Sequence, residues 1–578
     1  MVQEVVGSSP TSRPISLVKR FFRKVGRSRP RGRNIIYYFG DICIFRTALY
    51  TVLVLGFMRT LMRSLKVFLP LFVVVFGVMS VAGQKTSDPW AMGELLVKFM
   101  GGSASPMAKA ANRAVGSEVL EDLGDLGWQR VRLPDGVSIE KAIARYKDFQ
   151  GVEYAQPNFY YHLLLTPNDP LFTSPGMYGL TAIHAPQAWD LSTGSSSVVV
   201  ADIDTGMRYT HQDLAANAWI NPGEIPGNGI DDDGNGFVDD VHGWDFFYND
   251  SDPIDDAGGH GTHTAGTIGA VGNNMIGVVG VNWTVKIMNI KIYSPAGTDS
   301  TSAMLVNAYN YVRMMKNRGV NIRVTNNSYG DCGEACGYDQ ATKDALDAMG
   351  DAGVLNVFAA GNSGVNNDIS PAHSYPSVYT SPSILAVAAS TSTDARAGFS
   401  CWGPISVDLA APGSGVLSTY NTSDTATATL SGTSMATPHA AGAAALLSAF
   451  NPSLSVASLK ATLMNTVDVL PAWSGLVKSG GRLNVDRALR NQTVCTFATP
   501  TNSITVPTKG GVFTVNVTAG TNCDYFVKST VKWIRVLSTD TLSGNGQFTF
   551  RVTANPTITR SGNITIGGQN YTITQSRN

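Results

Sequence analysis

The stretch Val198-Val199-Val200-Ala201-Asp202-Ile203, closed at once by Asp204-Thr205-Gly206, decides how the rest of the chain is read. A half-exposed strand alternates apolar and polar residues, so a nearly continuous apolar run of this length reads as a strand covered on both faces. Three more runs are of the same kind: Ile287-Met288-Asn289-Ile290-Lys291-Ile292, Val354-Leu355-Asn356-Val357-Phe358-Ala359-Ala360 and Ile384-Leu385-Ala386-Val387-Ala388. Helical spacing fills 301–316 and 338–352 between them. Buried strands alternating with helices predict an α/β unit over about 166–490, a parallel sheet with helices on both faces. Functional residues in such sheets gather at the carboxyl ends of strands, where Asp204 sits.

Two further motifs follow in order. His260-Gly261-Thr262-His263 opens a helix of small residues, Thr264-Ala265-Gly266-Thr267, and Gly432-Thr433-Ser434-Met435-Ala436-Thr437-Pro438 leads into an alanine-rich helix running to Phe450. A hydroxyl becomes a useful nucleophile only when a base removes its proton, and an imidazole does this at neutral pH. A buried carboxylate fixes the imidazole tautomer and stabilises its cation. A serine at a helix start also has unsatisfied N–H groups near a developing oxyanion. Pro438 is expected in the first turn of that helix, where its missing N–H does no harm. His263 reads as a packing residue, because a His-x-x-His zinc pair needs further ligands and none is near.

An Asp-Thr-Gly alone is weak evidence, and one His-Gly-Thr-His is compatible with a structural role. The three motifs in the order Asp, His, Ser resemble the subtilisin-like (subtilase) family across roughly 166–490. The resemblance implies a serine endopeptidase working through an acyl-enzyme, with Asp204, His260 and Ser434 as the triad. Ala359-Ala360-Gly361-Asn362-Ser363-Gly364 resembles the family's oxyanion loop, which makes Asn362 a side-chain donor beside the Ser434 N–H. By the same resemblance Ser328, Tyr329 and Gly330 belong to the strand that pairs with substrate. Ala359, Ala360 and Gly361 then form the opposite wall of the primary pocket, and Ser374 closes it. No acid lies at that position, so the expected specificity is broad, apolar or aromatic.

The acidic stretch Asp231-Asp232-Asp233-Gly234-Asn235-Gly236-Phe237, followed by Asp239-Asp240, places side-chain oxygens at alternate positions around a glycine turn. It resembles the first half of an EF-hand loop, with Asp231, Asp233, Asn235 and the Phe237 carbonyl as Ca2+ ligands and Asp240 closing the sphere. A solvated acidic loop is the bland reading. The resemblance implies a second calcium site from Asp213, Asn274 and the carbonyls of Ile276 and Val278, and a weaker third at Asp245 and Asp250.

With 578 residues, the chain is long enough for several folding units. Its 43 basic and 43 acidic residues cancel, which gives no reason to expect nucleic acid as a partner. Residues 1–57 are rich in Arg and Lys and read as an over-extended or disordered leader. Arg59, Arg63 and Lys66, the apolar run over 67–81 and Ala82-Gly83-Gln84 form a signal-peptide pattern over 58–83, with Met58 or Met62 as the expected start. A membrane hairpin from 42–57 and 67–81 is the competing reading. Residues 84–165 mix strand and helix and end in Val152-Glu153-Tyr154-Ala155-Gln156-Pro157-Asn158, which resembles a subtilase propeptide; this implies an own inhibitor cut off near Leu163–Thr166. Export would let Cys332 pair with Cys336, and Cys495 with Cys523, while Cys43 and Cys401 have no evident partner.

After Asn491 short alternating strands rich in Thr and Val predict an all-β sandwich over 491–578. Cys495, Cys523, Trp533 and Tyr571-Thr572-Ile573-Thr574-Gln575 resemble a BACON-type domain, which implies a carbohydrate or cell-surface ligand; Trp533 itself reads as a core residue. The expected protein is therefore a secreted or extracellular, calcium-dependent zymogen acting on protein or peptide substrates. The rival is a calcium-dependent adhesin or glycan-binding protein on an inactive protease scaffold, since fold alone does not fix function.

Overall fold

The computed structural model describes residues 90–160, 165–256, 258–297, 299–330, 337–369, 371, 373–555 and 557–576. The leader, the signal-peptide pattern, the hairpin segments, residues 163–164 of the expected cleavage region, and Cys43, Cys332 and Cys336 lie outside them. The chain divides into two units, ending and starting at Tyr160 and Tyr161.

The first unit is an antiparallel sheet of order β2-β3-β1-β4 with two helices. Its strands are β1 (Trp90–Phe99), β2 (Glu118–Asp122), β3 (Trp128–Arg132) and β4 (Val152–Phe159), and its helices α1 (Pro106–Val115) and α2 (Ile139–Lys147). Ser105 and Ser138 cap these helices, each Oγ accepting a backbone N–H of the first turn. Leu95, Val97 and Phe99 alternate inward from β1 onto Ala108, Ala111, Ala142 and Tyr146.

The second unit is built on a nine-stranded sheet of order β14-β15-β11-β10-β9-β8-β5-β7-β6. The strands are β5 (Gly194–Asp204), β6 (Gly243–Asp245), β7 (Thr284–Lys291), β8 (Ile322–Asn327), β9 (Leu355–Ala359), β10 (Ile384–Ser390), β11 (Leu409–Pro412), β14 (Asp468–Val469) and β15 (Gly481–Arg482). All neighbours pair in parallel except β14 with β15. The helices are α3 (Tyr178–Ala182), α4 (Ala185–Trp189), α5 (His260–Gly269), α6 (Ser302–Asn317), α7 (Gln340–Asp351), α8 (Thr433–Phe450), α9 (Val456–Asn465) and α10 (Val485–Arg490). A hairpin of β12 (Val416–Thr419) and β13 (Thr427–Leu430) lies beside α5.

The apolar run on β5 divides between two cores, as a doubly covered strand must. Val198 and Val200 join the core made with α5 and α8, whereas Val199, Ala201 and Ile203 join the one made with α6 and α7. By the same alternation Asp202 and Asp204 face the α5–α8 side.

The last strands form two sheets, β16 (Phe497–Ala498), β18 (Gly511–Ala519), β22 (Gly546–Val552) and β20 (Ile534–Val536) in one, and β17 (Ser503–Val506), β24 (Gln569–Gln575), β23 (Arg560–Ile566), β19 (Asp524–Ser529) and β21 (Thr541–Ser543) in the other. Val515, Val517, Phe548, Phe550, Ile564, Ile566 and Ile573 fill the space between. Cys495 and Cys523 form a disulfide, while Cys401 is a buried free thiol. Trp533 is only partly buried: it packs at the rim of that core with the Arg560 guanidinium 4.2 Å from its ring centroid.

The sandwich borrows part of its core. Ala461 of α9 is buried in it and Ala457 packs against it. Above this apolar contact the buried ammonium of Lys460 reaches Asp524 on β19 at 2.8 Å and Asp408, beside β11, at 3.5 Å.

Candidate active site

β5 delivers Asp204 to the carboxyl edge of the sheet, and α5 begins at His260. His260 Nδ1 lies 2.7 Å from Asp204 Oδ1, whose carboxylate is almost wholly buried. The approach requires glycine at 261: a Cβ there would come within 2.1 Å of the Gly206 carbonyl oxygen and 3.2 Å of Asp204 Oδ1. Thr205 completes the support. Its N–H donates to Asp204 Oδ1 at 2.7 Å, and its Oγ1 accepts the Gly261 N–H at 2.9 Å and donates to Asp255 Oδ1 at 3.2 Å. Burial alone would lower the His260 pKa, but the charge and hydrogen bond of Asp204 hold it above the usual imidazole value. Burial pushes Asp255 up to about 6 against its bonds from Thr262.

Ser434 is the second residue of α8. Its Oγ donates to the Ser328 carbonyl at 2.9 Å, and Ser328 Oγ donates back to the Ser434 carbonyl at 3.0 Å. Pro438 explains the second bond and corrects the expectation for it. It stands inside α8 rather than in the first turn, and it lacks the N–H that the Ser434 carbonyl, four residues earlier, would have accepted. The freed carbonyl takes Ser328 instead. Helix α8 and the segment that follows β8 are thereby tied together at Ser434.

One cleft of about 370 Å³ brings together Asp204, His260, Ser434, Asn362, Ser328, Tyr329, Gly330, Ala359 and Gly361. Ala360 and Ser374 are not on its wall. Ala360 is buried behind it with Cys401 and Trp473, and Ser374 sits behind Gly330, its Oγ 3.5 Å from where a Cβ would be. Asn362 Oδ1 accepts both the N–H and the hydroxyl of Thr433, at 2.8 and 3.0 Å, which turns the Nδ2 edge the other way. Thr433, Thr205 and Asp255 were not expected in the site; the first two stand directly beside motif residues, which is the signal that could have found them. Tyr293, Pro295 and Ala296 also line the cleft, supplied by the loop after β7. His263 is packed, as read: its Nε2 lies 3.0 Å from the Val416 and 3.2 Å from the Ala428 carbonyl oxygen, and burial lowers its pKa to about 4.

The acidic loop gathers differently from its sequence pattern. Oxygens of Asp231, Asp233 and Glu224 lie within 4.8 Å of one another. Asp240 is not among them, because it is fully buried and spent on hydrogen bonds from Asn221, Asn235 and Tyr311. Asn235 turns its Nδ2 to Asp240 and its Oδ1 to the Phe237 N–H, and the Phe237 ring packs edge-on to Trp244 and Tyr311. Glu224 takes the place expected for Asp240; lying outside the motif, it left no signal in the sequence.

At the second loop, Asn274 Nδ2 and the Val278 N–H donate to Asp213 at 3.0 and 2.9 Å, and the Ile276 N–H donates to Asn274 Oδ1 at 2.8 Å. Asp169, unexpected from sequence, accepts the Asn273 N–H at 2.7 Å from the other side. Burial pushes Asp213 up to about 6 despite those bonds, and Asp169 adds to the rise. Two buried carboxylates with no cationic side chain paired to them among the described residues offer hard oxygens of the kind Ca2+ takes, while Asn274 turns its amide nitrogen to Asp213. The expected third site is different: the Lys291 ammonium occupies it, 3.0 Å from Asp245 and 2.6 Å from Asp256.

Comparison with known proteins adds the following. Residues 195–494 match the Subtilase family, peptidase S8, and residues 77–158 match the Fervidolysin N-terminal prodomain. Thermitase from Thermoactinomyces vulgaris is 36% identical over 325 residues, 56% of this chain and 99% of that protein. An extracellular protease from Xanthomonas campestris pv. campestris is 31% identical over 434 residues, 68% of this chain and 72% of that protein. A solved structure of proteases from Pseudoalteromonas arctica aligns at 29% identity with a TM-score of 0.45, covering 56% of this chain and 99% of that one.

Proposed function

This chain belongs to the subtilase family and is a serine endopeptidase carrying an N-terminal prodomain, and on that footing we propose that Asp204, His260 and Ser434 perform the reaction, with Asn362 as an oxyanion donor. The observation that carries this reading is the 2.7 Å Asp204–His260 contact opening onto the same cleft as Ser434. Ser434 Oγ gives its proton to His260 Nε2 as it attacks the scissile carbonyl, and Asp204 holds the imidazolium that results. The tetrahedral oxyanion is met by Asn362 Nδ2 and the Ser434 N–H. Return of the proton to the leaving amine breaks the peptide bond, and water hydrolyses the acyl-enzyme by the same sequence. A fluorophosphonate probe tests the assignment: label on Ser434 of the full chain supports it. A folded protein that takes no label, or takes it elsewhere, puts the adhesin reading in its place.

Domain limits of 84–165, 166–490 and 491–578 go with this reading, as do secretion, self-processing at 163–166 and broad apolar specificity. The cleft walls of Gly330, Ala359 and Tyr329 offer no charge to a substrate side chain, which favours the last. Among the described residues no helix is long and apolar enough to cross a membrane. Trp533 packs at the rim of the sandwich core with Arg560 over one ring face, so we assign the sandwich a structural role.

Three outcomes are expected. Asn362→Leu removes the side-chain donor together with the Oδ1 that accepts from Thr433, while the Gly361 N–H bond to Thr433 Oγ1 remains, so kcat falls about 10²–10³-fold with little change in KM, the size found for the matching donor in subtilisin. The acid limb of kcat/KM reports His260, whose raised pKa keeps the imidazole protonated to higher pH; the limb therefore lies above the ordinary value of about 6.5, with activity rising as pH increases through it. Calcium would be held by Glu224, Asp231 and Asp233 in one loop and by Asp169, Asp213 and Asn274 in the other, and when bound it supplies positive charge that offsets buried carboxylates. Calcium at 100 times Kd then stabilises the chain by about 2.7 kcal/mol relative to chelator. Asp213→Asn diminishes that gain, as thermal unfolding of an inactive variant would show.

A further inference from the structure

Asp202, two residues before Asp204 on β5, plays no part in the chemistry above, yet its side chain is 2% exposed and touches elements that carry all three reacting groups. Its Oδ1 accepts from Asn326 Nδ2 at 2.8 Å and its Oδ2 lies 2.9 Å from Thr264 Oγ1. Thr264 is one turn along α5 from His260, and its hydroxyl lies 3.0 Å from the Gly261 carbonyl oxygen. Asn326 Nδ2 also reaches Ser328 Oγ at 3.0 Å, and Ser328 exchanges hydrogen bonds with Ser434. One carboxyl thus connects the strand of Asp204, the helix of His260 and the residue that grips Ser434.

The hydrogen bonds around it fit an uncharged state. Thr264 has a single hydroxyl proton and the Gly261 carbonyl can only accept. If Asp202 were a carboxylate, Thr264 would face two acceptors and could satisfy only one. As a carboxylic acid, Asp202 Oδ2–H donates to Thr264 Oγ1, Thr264 donates to the Gly261 carbonyl, and Asn326 donates to Oδ1, so every contact is satisfied. Full burial and the charge of Asp204 on the same face also favour the uncharged form, lifting its pKa well above the carboxylate range despite the bonds from Asn326 and Thr264. The charged groups that act on it are Asp204 on its own strand and His260 at the head of α5. β7 and β8 offer asparagines at its register, Asn289 and Asn326, and His439 of α8 is bonded to its own helix at the Met435 carbonyl.

We propose that Asp202 is a positioning residue of the active site, a neutral carboxylic acid that ties α5 to β5 and orients the Asn326 amide on Ser328 so that His260 and Ser434 keep their places around Asp204. The inference rests on the triad assignment above. A carboxyl in this position cannot touch substrate, but losing its two bonds lets α5 and the Asn326 amide that reaches Ser328 shift, and displacements near 1 Å reduce turnover by about 10²-fold.

The test compares Asp202→Asn, Asp202→Val and Thr264→Val in the full chain, with turnover expressed per site labelled by fluorophosphonate so that unfolded molecules do not count. Asparagine reproduces the neutral acid's donor and acceptor, so it is expected to keep kcat within about threefold of wild type and to leave the acid limb within about 0.3 pH unit. Asp202→Val is expected to lower kcat about 10- to 100-fold with KM little changed, Thr264→Val to do the same, and the double variant to add nothing further. Three results overturn the proposal: Asp202→Asn impaired as deeply as valine, an acid limb about one unit lower in Asp202→Asn, which would mark a lost charge, or unchanged kcat in both valine variants. In each of these the wild type still labels at Ser434, so the triad assignment survives. Absence of label on wild type overturns both.

Discussion

Changing Ser434 to alanine is expected to lower kcat on the order of 10⁶-fold, the size found when the nucleophile of subtilisin is removed. The loss is this large because the proton relay has no other use: His260 and Asp204 activate one hydroxyl, and a methyl group offers nothing to activate. What remains comes from Asn362 and the backbone donors, roughly 10³–10⁴-fold over water. The fold should survive, since Ser434 Oγ contributes a single hydrogen bond, to the Ser328 carbonyl, while the reciprocal bond from Ser328 uses the backbone. The substitution therefore separates activity from folding. In the wild type the expected product is a chain lacking everything before residues 163–166; in Ser434→Ala the prodomain stays attached. Intact mass and N-terminal sequencing of both read this directly. Equal trimming of the two would mean that another protease makes the cut.

The order of strands and helices was legible because buried parallel strands leave little choice of residue. Val198–Ile203 had to be apolar on both faces, and the two cores that share it are the reason. The motif residues were legible for a related reason: each stands at a strand end or a helix start, where spacing along the chain marks it. What the sequence hid was whatever depends on partners distant in the chain. Pro438 looked harmless near a helix start, yet its value lies in the Ser434 carbonyl it leaves for Ser328, 106 residues away. Asp240 looked like a calcium ligand because it continues the acidic spacing, but Tyr311, 71 residues on, claims it for a hydrogen-bond hub. Asp202 stands inside the apolar run of β5, and its partners Thr264 and Asn326 lie 62 and 124 residues away. Ala360 and Ser374 sit one layer behind the walls to which the family resemblance assigned them.

The boundary at 490 hid most, since composition there suggests an independent module whereas packing does not. Lys460→Ala is expected to destabilise the chain by about 3–5 kcal/mol, because it leaves Asp408 and Asp524 buried with their shared cation gone. The pH dependence identifies the cause. In the wild type, burial would raise Asp524, but Lys460 and Lys478 hold its pKa below the usual value. A depressed carboxyl contributes stability that is complete above the unfolded value, about 3.9, and is lost as pH falls through the folded one. In Lys460→Ala burial acts on Asp524 with only Lys478, 3.7 Å away, left to oppose it, and its pKa rises. Stability then falls as pH increases through the range above 4, the opposite slope. Urea unfolding of Lys460→Ala and its parent, both carrying Ser434→Ala to prevent self-digestion, should give a difference that grows from pH 4.5 to pH 8. A difference independent of pH would point to lost packing of the buried lysine stem instead. Adding Asp408→Asn and Asp524→Asn to the alanine variant removes the stranded charges and should recover most of the loss, which no purely steric account of Lys460 predicts.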